Sequence, residues 1–392
     1  MSQFHAGESS TTRRYDLAVV GLGVMGAMVA WRAAAMGADV IALDPYVPGH
    51  RRGASHGGSR IFRTLCHEGV DYGVFARASL QIYRELEAAT RTELLLQCGG
   101  LTIGPPGHPL VSAAAVTAET VGVAYERLDS AELRARYPQH APMGKDIGLF
   151  EPTAGVLRPE AAVRAAVQAS RAAGASVLSG VRCLKLRHEA DGPTLFTNAG
   201  VIRARKTVLA IGGWTNDLVP DLELPLQVRR SVLCWFRDDT ECHGTQNFPV
   251  FIRVGSGLDG WGIPDVDGRG VKVGLGGPHP SKRLLSHPDD NWGMHPVSVE
   301  TAPVSAYVTK ALPGLQPITA SAEACMDVRT PDGHFVLGSH PRLADVVLCT
   351  GFSGHGFKHA PAVGTAVAQY ALHGRTDFPI DAFAPDRFDR ST

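Results

Sequence analysis

Six residues near the start of the chain, Gly21-Leu22-Gly23-Val24-Met25-Gly26, have the spacing GxGxxG, and an acid, Asp44, follows eighteen residues after the last glycine. A dinucleotide pyrophosphate needs this spacing. Gly21 permits a tight turn, Gly23 lets the backbone approach the phosphates, and Gly26 lets a following helix pack closely on the preceding strand, while the helix N-terminus supplies N–H donors and positive potential. Asp44 would accept from ribose hydroxyls. The motif serves FAD and NAD alike and does not choose between them. A second run, Gly351-Phe352-Ser353-Gly354-His355-Gly356-Phe357-Lys358, brings three more glycines more than three hundred residues later. A simple NAD-binding domain has no need of such a loop. A reduced flavin does, because its negative charge near N1 and the C2 carbonyl is stabilised by backbone N–H groups and a helix N-terminus.

The elements that must position these runs read as α/β. Tyr15–Val20 is a predicted strand, Val24–Met36 a helix ended by Gly37, and Asp39–Leu43 a strand, together a βαβ unit. A helix is expected over Val74–Thr90, where Phe75, Leu80, Ile82, Tyr83 and Leu86 include apolar pairs at i, i+3 and i+4. Leu101–Ile103, Val228–Phe236, Val250–Val254 and Val271–Leu275 alternate in part, which predicts antiparallel strands with one wet face. The α/β pattern returns in helix Arg158–Ala173 and in strands Ala175–Leu178 and Lys206–Ala210. It returns again in strand Asp345–Thr350 and helix His359–His373. The expected fold class is therefore α/β: a Rossmann-like dinucleotide-binding domain (14–91, 151–225 and 325–386) interleaved with an antiparallel-sheet substrate domain (92–150 and 226–324), after a flexible tail over 1–13.

Composition narrows the partners. Lys plus Arg and Asp plus Glu both number 38, so no net field draws in nucleic acid or anionic lipid, and a small-molecule substrate is favoured. The seven cysteines are scattered, odd in number and without a CxxC pair, which argues against a disulfide framework or a zinc site and for a reducing, cytoplasmic setting. Arg13-Arg14 ahead of fifteen uncharged residues, Leu17–Trp31, imitates an export signal. The stretch is shorter than the ~20 residues that span a bilayer, and its glycines have a cofactor spacing.

Four blocks together resemble the family of monomeric sarcosine oxidase and N-methyltryptophan oxidase, flavoenzymes that oxidise secondary amino acids. They are the GxGxxG unit with Asp44; Ser55-His56-Gly57-Gly58-Ser59-Arg60-Ile61-Phe62-Arg63; Cys325-Met326 followed by Pro331-Asp332-Gly333-His334-Phe335; and Gly351–Lys358. The resemblance runs from Tyr15 to about Phe383. It implies FAD, held by a thioether from the flavin 8-methyl group to the residue matching Cys325, a link expected to raise the flavin's potential. It further implies that Arg63 and Lys358 clamp a substrate carboxylate, that Arg60 and His56 line the flavin, and that Lys272 stands near N5, where a cation favours reduction of O₂. Val24, Met25, Ser55, Ser59, Val181, Gly212 and Trp214 complete the expected cofactor contacts, with Gly354, His355, Gly356 and Phe357.

The match fails in the substrate pocket. Asp327 replaces a family tyrosine, Gly276 a histidine and Trp261 a tyrosine, which suggests a substrate bulkier than sarcosine and an Asp327 able to pair with a second amine or hydroxyl on it. The expected activity is oxidation of an N-methyl or other secondary α-amino acid to an imine, with O₂ reduced to H₂O₂, by a monomer. Oxidation of a cyclic imino acid, and an FAD dehydrogenase that passes electrons to a carrier, are the rivals with the same cofactor. A nicotinamide-dependent dehydrogenase or a nucleotide sensor is the rival of another class.

Overall fold

Five parallel strands stand side by side in the order Val346–Thr350, Gly200–Leu209, Arg14–Val20, Val40–Asp44, Ser176–Ser179. Numbered along the chain and read from the Ser176–Ser179 edge this is 3-2-1-4-5, the arrangement of a doubly wound dinucleotide-binding sheet, and the order reverses beside Arg14–Val20. In the computed structural model, which describes residues 13–388 except 142, 143, 256, 278 and 281, the tail expected over 1–13 lies outside the described residues apart from Arg13. Leu17, Val19, Val40 and Ala42 face one core with the helices Val24–Ala35, Pro159–Ala172 and Ala360–His373, while Ala18, Val20, Ile41 and Leu43 face a second core with Leu195, Val219 and Leu224. Alternate residues of each strand are thus buried on opposite faces, which is why these strands read as continuous apolar runs. The glycine helix packs so closely that a Cβ on Gly364 would lie 2.5 Å from that of Met28.

A nine-stranded sheet carries the middle of the chain, with Gln227–Asp238 toward one end of it. Two expectations need correction here. Val250–Arg253 pairs in parallel with Gly100–Gly104, although the other pairings are antiparallel. The wet face expected of Val271–Leu275 is absent, since all five residues are buried; its polar side, with Lys272, faces an internal cavity rather than bulk solvent. A long strand not foreseen from the sequence, Leu315–Arg329, pairs along the whole of Gln227–Asp238. Its Ala, Ser and Glu are weak strand formers, so cross-strand pairing dictates its conformation. The expected domain boundary at 325 falls inside it. Alternation along Gln227–Asp238 sends Val232, Cys234 and Phe236 into the core under helix Ser298–Ala311, and Arg229, Ser231 and Leu233 to the cavity.

Three short strands, Arg60–Phe62, Gly155–Leu157 and Leu95–Gln97, bridge the two large sheets. The helix expected from Val74 begins one turn earlier, at Val70, behind Gly69, whose φ of 130° few other residues would adopt.

At the first turn a Cβ on Gly26 would stand 1.8 Å from the carbonyl oxygen of Gly21. Gly26→Ala therefore has to push the helix off its strand, at a cost of about 1–3 kcal/mol. Urea unfolding and the amount of flavin retained on purification should both fall; no change in either would refute this close approach.

Candidate active site

The carboxyl ends of the parallel strands open onto a cavity of about 1300 Å³ that runs between the two large sheets. Drug-sized ligands occupy roughly 300–1,000 Å³, so this space exceeds one small substrate and suits a dinucleotide together with one.

At the nucleotide end Gly21 has φ 92°, and a Cβ there would meet the Ala210 carbonyl oxygen at 2.6 Å. Among the described residues no side chain of the N-cap itself covers the start of helix Val24–Ala35. Ser55 Oγ instead accepts the Val24 N–H at 3.0 Å. Asp44 Oδ2 accepts the Leu22 N–H at 2.7 Å and Oδ1 the Tyr46 N–H at 2.8 Å, so this acid shapes the glycine turn. Val181, Gly212 and Trp214 line the same stretch. A bare glycine cradle at a helix N-terminus, with an acid at the end of the next strand, fits the pyrophosphate and ribose of FAD.

Farther along, Cys325 from the long strand lies beside Arg60, whose Nη2 is 3.5 Å from Sγ. Burial disfavours the thiolate, but His56, Arg60 and Lys272 outweigh it and bring the Cys325 pKa down to about 6. A thiolate at neutral pH is a nucleophile. Both ring nitrogens of His56 are buried without a hydrogen bond among the described residues. Lys272, 1% exposed, donates from Nζ to the carbonyls of Gly57 and Ser59, each at 2.9 Å. Burial pulls its pKa well down, and Arg60 adds to that. Glu160 fixes the loop that supplies those carbonyls by accepting the N–H groups of Gly57 at 2.7 Å and Gly58 at 3.1 Å.

The third group centres on an acid. Arg63 Nη2 donates to Glu68 Oε1 at 2.7 Å, and Lys358 Nζ donates to the same oxygen at 3.0 Å. Burial opposes charge on Glu68, yet Arg63 and Lys358 override it and hold the carboxyl well below its ordinary range. Its stabilising contribution is therefore complete above the ordinary carboxylate pKa and is lost as pH falls through the depressed value. Burial lowers His67 to about 3 and His355 to about 4, so neither ring is charged at neutral pH. Behind Arg63, the buried Glu151 accepts from the Thr64 N–H at 2.8 Å, the Thr64 hydroxyl at 2.6 Å and the Leu65 N–H at 3.0 Å, which fixes the turn.

Gly21, Gly23, Val24, Met25, Asp44, Ser55, Ser59, Arg60, Arg63, Val181, Gly212, Trp214, Lys272, Cys325 and Asp327 all line this cavity, as do Gly354, His355, Gly356, Phe357 and Lys358. Gly26 packs under the turn and His56 is buried behind the wall, neither of them on the surface of the cavity. Gly276 and Trp261 also line it, and Trp261 lies on Gly274, where a Cβ would come within 2.3 Å of the indole. Asp327 differs from expectation: its carboxylate already receives Arg229 Nη2 at 2.9 Å and Arg329 Nε at 3.0 Å, so no free acid awaits a substrate amine. Sequence reasoning missed Glu68, Glu151 and Glu160. Only Glu68 left a signal, an acid five residues after the Arg of the clamp.

Strand order, glycine cradle and a thiolate beside buried cations define a dinucleotide-dependent oxidoreductase of the flavin class. The chain belongs to the FAD-dependent oxidoreductase family, whose model matches residues 16–370. It is 34% identical to the monomeric sarcosine oxidase of Streptomyces avermitilis, over 95% of this chain and 97% of that one. It is 30% identical to the N-methyl-L-tryptophan oxidase of Citrobacter koseri, over 96% and 99%. The solved structure of NikD, an unusual amino acid oxidase essential for nikkomycin biosynthesis, shares the fold with a TM-score of 0.80 at 24% identity, covering 95% of this chain and 98% of that one. The chain is an FAD-dependent oxidoreductase acting on CH–NH bonds.

Replacing Glu68 by Gln separates two effects of opposite sign. Breaking the buried pair should cost about 3–5 kcal/mol of folding stability. Freeing Arg63 and Lys358 should tighten acetate binding roughly ten-fold or more, read as a shift in flavin absorbance on titration. Unchanged acetate affinity would mean that Glu68 does not compete for the pair.

Proposed function

We propose that this enzyme oxidises N-methyl or other secondary α-amino acids, with the substrate carboxylate taking the place of Glu68 between Arg63 and Lys358. The observation that carries this reading is the convergence of both cations on a single carboxylate oxygen, Glu68 Oε1, at 2.7 and 3.0 Å. An incoming carboxylate offers the same charge and geometry, so neither cation is left unpaired when it takes the place of Glu68, whose own carboxylate then has to turn away or take up a proton.

Asp44, Ser55 and the loops Gly21–Gly26 and Gly351–Phe357 would hold the cofactor, and Cys325 would bond covalently to the flavin 8-methyl carbon, with O₂ taking up the two electrons that forming this link releases. FAD bound there would supply a two-electron acceptor for a hydride from the carbon attached to nitrogen and would be reoxidised by O₂, the overall change being amine plus O₂ to imine plus H₂O₂. The clamp fixes the α-carbon, and with it the C–N bond, at one end of the cavity. Lys272, kept dry by Trp235 and Trp261, each within 6 Å of its Nζ by ring centroid (5.3 and 5.9 Å), supplies positive charge where oxygen is reduced. Among the described residues the bases beside the clamp are weak: Glu68 is paired with both cations, and burial brings His67 down to about 3 and His355 to about 4, too low to strip a substrate ammonium. The amine therefore has to arrive or bind unprotonated. Water then splits the imine, releasing formaldehyde from an N-methyl substrate. The discontinuous FAD and substrate domains, a monomeric state and a cytoplasmic setting complete the reading; seven free thiols suit a reducing compartment, and no helix among the described residues is long and apolar enough to cross a membrane.

Covalent attachment has a pH signature. Incubating FAD with flavin-free chain should give yellow, acid-precipitable protein at a rate that rises through about pH 6 and levels off above it, following the Cys325 thiolate. Cys325→Ala should release all its colour on precipitation, and a coloured Cys325→Ala pellet would move the link elsewhere.

For turnover, each N-methyl substrate oxidised should yield one formaldehyde and one H₂O₂. Lys272→Met should slow reoxidation by air roughly 10²–10³-fold while anaerobic bleaching by substrate persists. Normal reoxidation in that variant, or bleaching by cyclic imino acids alone, would overturn the corresponding part of the reading.

A further inference from the structure

The cavity carries a second set of charges that the reaction itself does not use. Arg229 and Asp327 face one another across the paired strands Gln227–Asp238 and Leu315–Arg329. Arg229 grips both carboxylate oxygens, Nε to Oδ1 at 3.2 Å and Nη2 to Oδ2 at 2.9 Å, and Arg329 Nε adds a third hydrogen bond to Oδ2 at 3.0 Å. Ser231 Oγ is 3.4 Å from Oδ1. Lys282, from the next strand, lies on the same wall; burial and the nearness of Arg229 and Arg329 bring its pKa to about 8, so it is mostly charged at neutral pH. Three cations thus meet one carboxylate. Of the cavity's other acids, Glu68 is paired with Arg63 and Lys358, Asp44 is bound to loop amides, Asp332 to Arg387 at 2.7 Å, Asp259 accepts the Gly255 N–H at 3.1 Å, and Asp217 lies 3.1 Å from His287 Nε2.

Concave walls with an excess of one charge raise the local concentration of the opposite one. Arg229 and Asp327 are only 14% and 13% exposed, so water compensates them poorly, whereas Arg329, at 37%, opens toward the cavity mouth. This group is also close to the clamp. A Cβ on Gly354 would stand 2.8 Å from Asp327 Oδ2 and 3.5 Å from Arg329 Nη2, and the carbonyl of the next residue, His355, accepts from Lys358 Nζ at 3.1 Å. Consecutive Cα atoms are about 3.8 Å apart, so one amino acid with an extended side chain reaches from one group to the other.

We propose that Arg229, Arg329 and Lys282, held in place by Asp327, form a second anion subsite, and that the substrate is an N-alkyl or cyclic α-amino acid bearing a second negative group such as a distal carboxylate. This rests on the proposed oxidation of secondary amino acids and specifies its substrate class. Asp327 acts as a positioning residue that fixes two arginines, not as a receiver of an amine.

Two probes that differ only in distal charge, N-methyl-L-glutamate and N-methyl-L-glutamine, decide it with the flavin-loaded enzyme. Anaerobic bleaching should favour the acid over the amide in rate divided by Kd by roughly ten-fold or more, the worth of one charge-assisted contact. The ratio should fall toward one in Arg329→Gln and in Lys282→Gln, both on the more open side of the group and checked for flavin content. A binding readout runs in parallel: glutarate should perturb the flavin spectrum at lower concentration than its monoamide, and this difference should shrink in the same variants. Equal behaviour of acid and amide in the parent enzyme overturns the subsite. So does a preference for Nα-methyl-L-lysine that Asp327→Asn abolishes, which would make Asp327 the receiver of an amine. If no N-methyl compound bleaches the flavin, the reading as a secondary amine oxidase fails, and the glutarate titration still decides the subsite.

Discussion

The structure depends on how it neutralises cations that it has buried. Arg63, Lys358, Lys272 and Arg60 are drawn into one cavity, and each finds an internal counterpart: the Glu68 carboxylate for the first two, the carbonyls of Gly57 and Ser59 for the third, and those of Ser59 and Ala54 with the Cys325 sulfur for the fourth. An uncompensated charge at any of these places would cost several kcal/mol. The chain therefore supplies its own partners for these cations within the cavity. The same rule describes the Arg229 group, where Asp327 satisfies two arginines and still leaves positive charge over.

This arrangement requires the two large sheets to meet at a fixed distance. The doubly wound sheet supplies the glycine cradle and, through helix Ala360–His373 and the loop before it, Lys358. The second sheet supplies Lys272, Cys325 and the Arg229 group. The short strand Arg60–Phe62, ahead of Arg63, is pinned between them by pairing with Gly155–Leu157. Rigidity is imposed even at some local cost: Ser353, in the clamp-bearing loop, sits at φ 51°, a strained position for a residue with a side chain, worth about 1–3 kcal/mol. The Val328 carbonyl accepts its N–H at 2.7 Å, which ties the loop to the strand that carries Cys325 and Asp327.

Much of the doubly wound sheet was legible because its signals are local. A glycine spacing, a helical period and a run of apolar residues are each set within one turn or one strand, so the βαβ unit and the C-terminal strand and helix lie within a few residues of their expected ends. Leu315–Arg329 was not legible, since its strand conformation comes from a partner almost a hundred residues earlier. Lys272 shows the same limit in reverse: alternation gave its strand but assigned its face to water, and only the packing of the two sheets turns that face inward.

The glycine spacing by itself predicted a dinucleotide site at Gly21–Gly26, whereas Arg63, Lys358, Lys272 and Cys325 stood out only through the four blocks that resemble the sarcosine oxidase family. Tertiary structure alone decided what those side chains face: Glu68 between the two clamp cations, three cations around Asp327, and a thiol made acidic by His56, Arg60 and Lys272. The reason is electrostatic. A charge acts over several ångströms through space, more strongly where water is excluded, and neither its neighbours in space nor the exclusion of water is written in the order of residues along the chain.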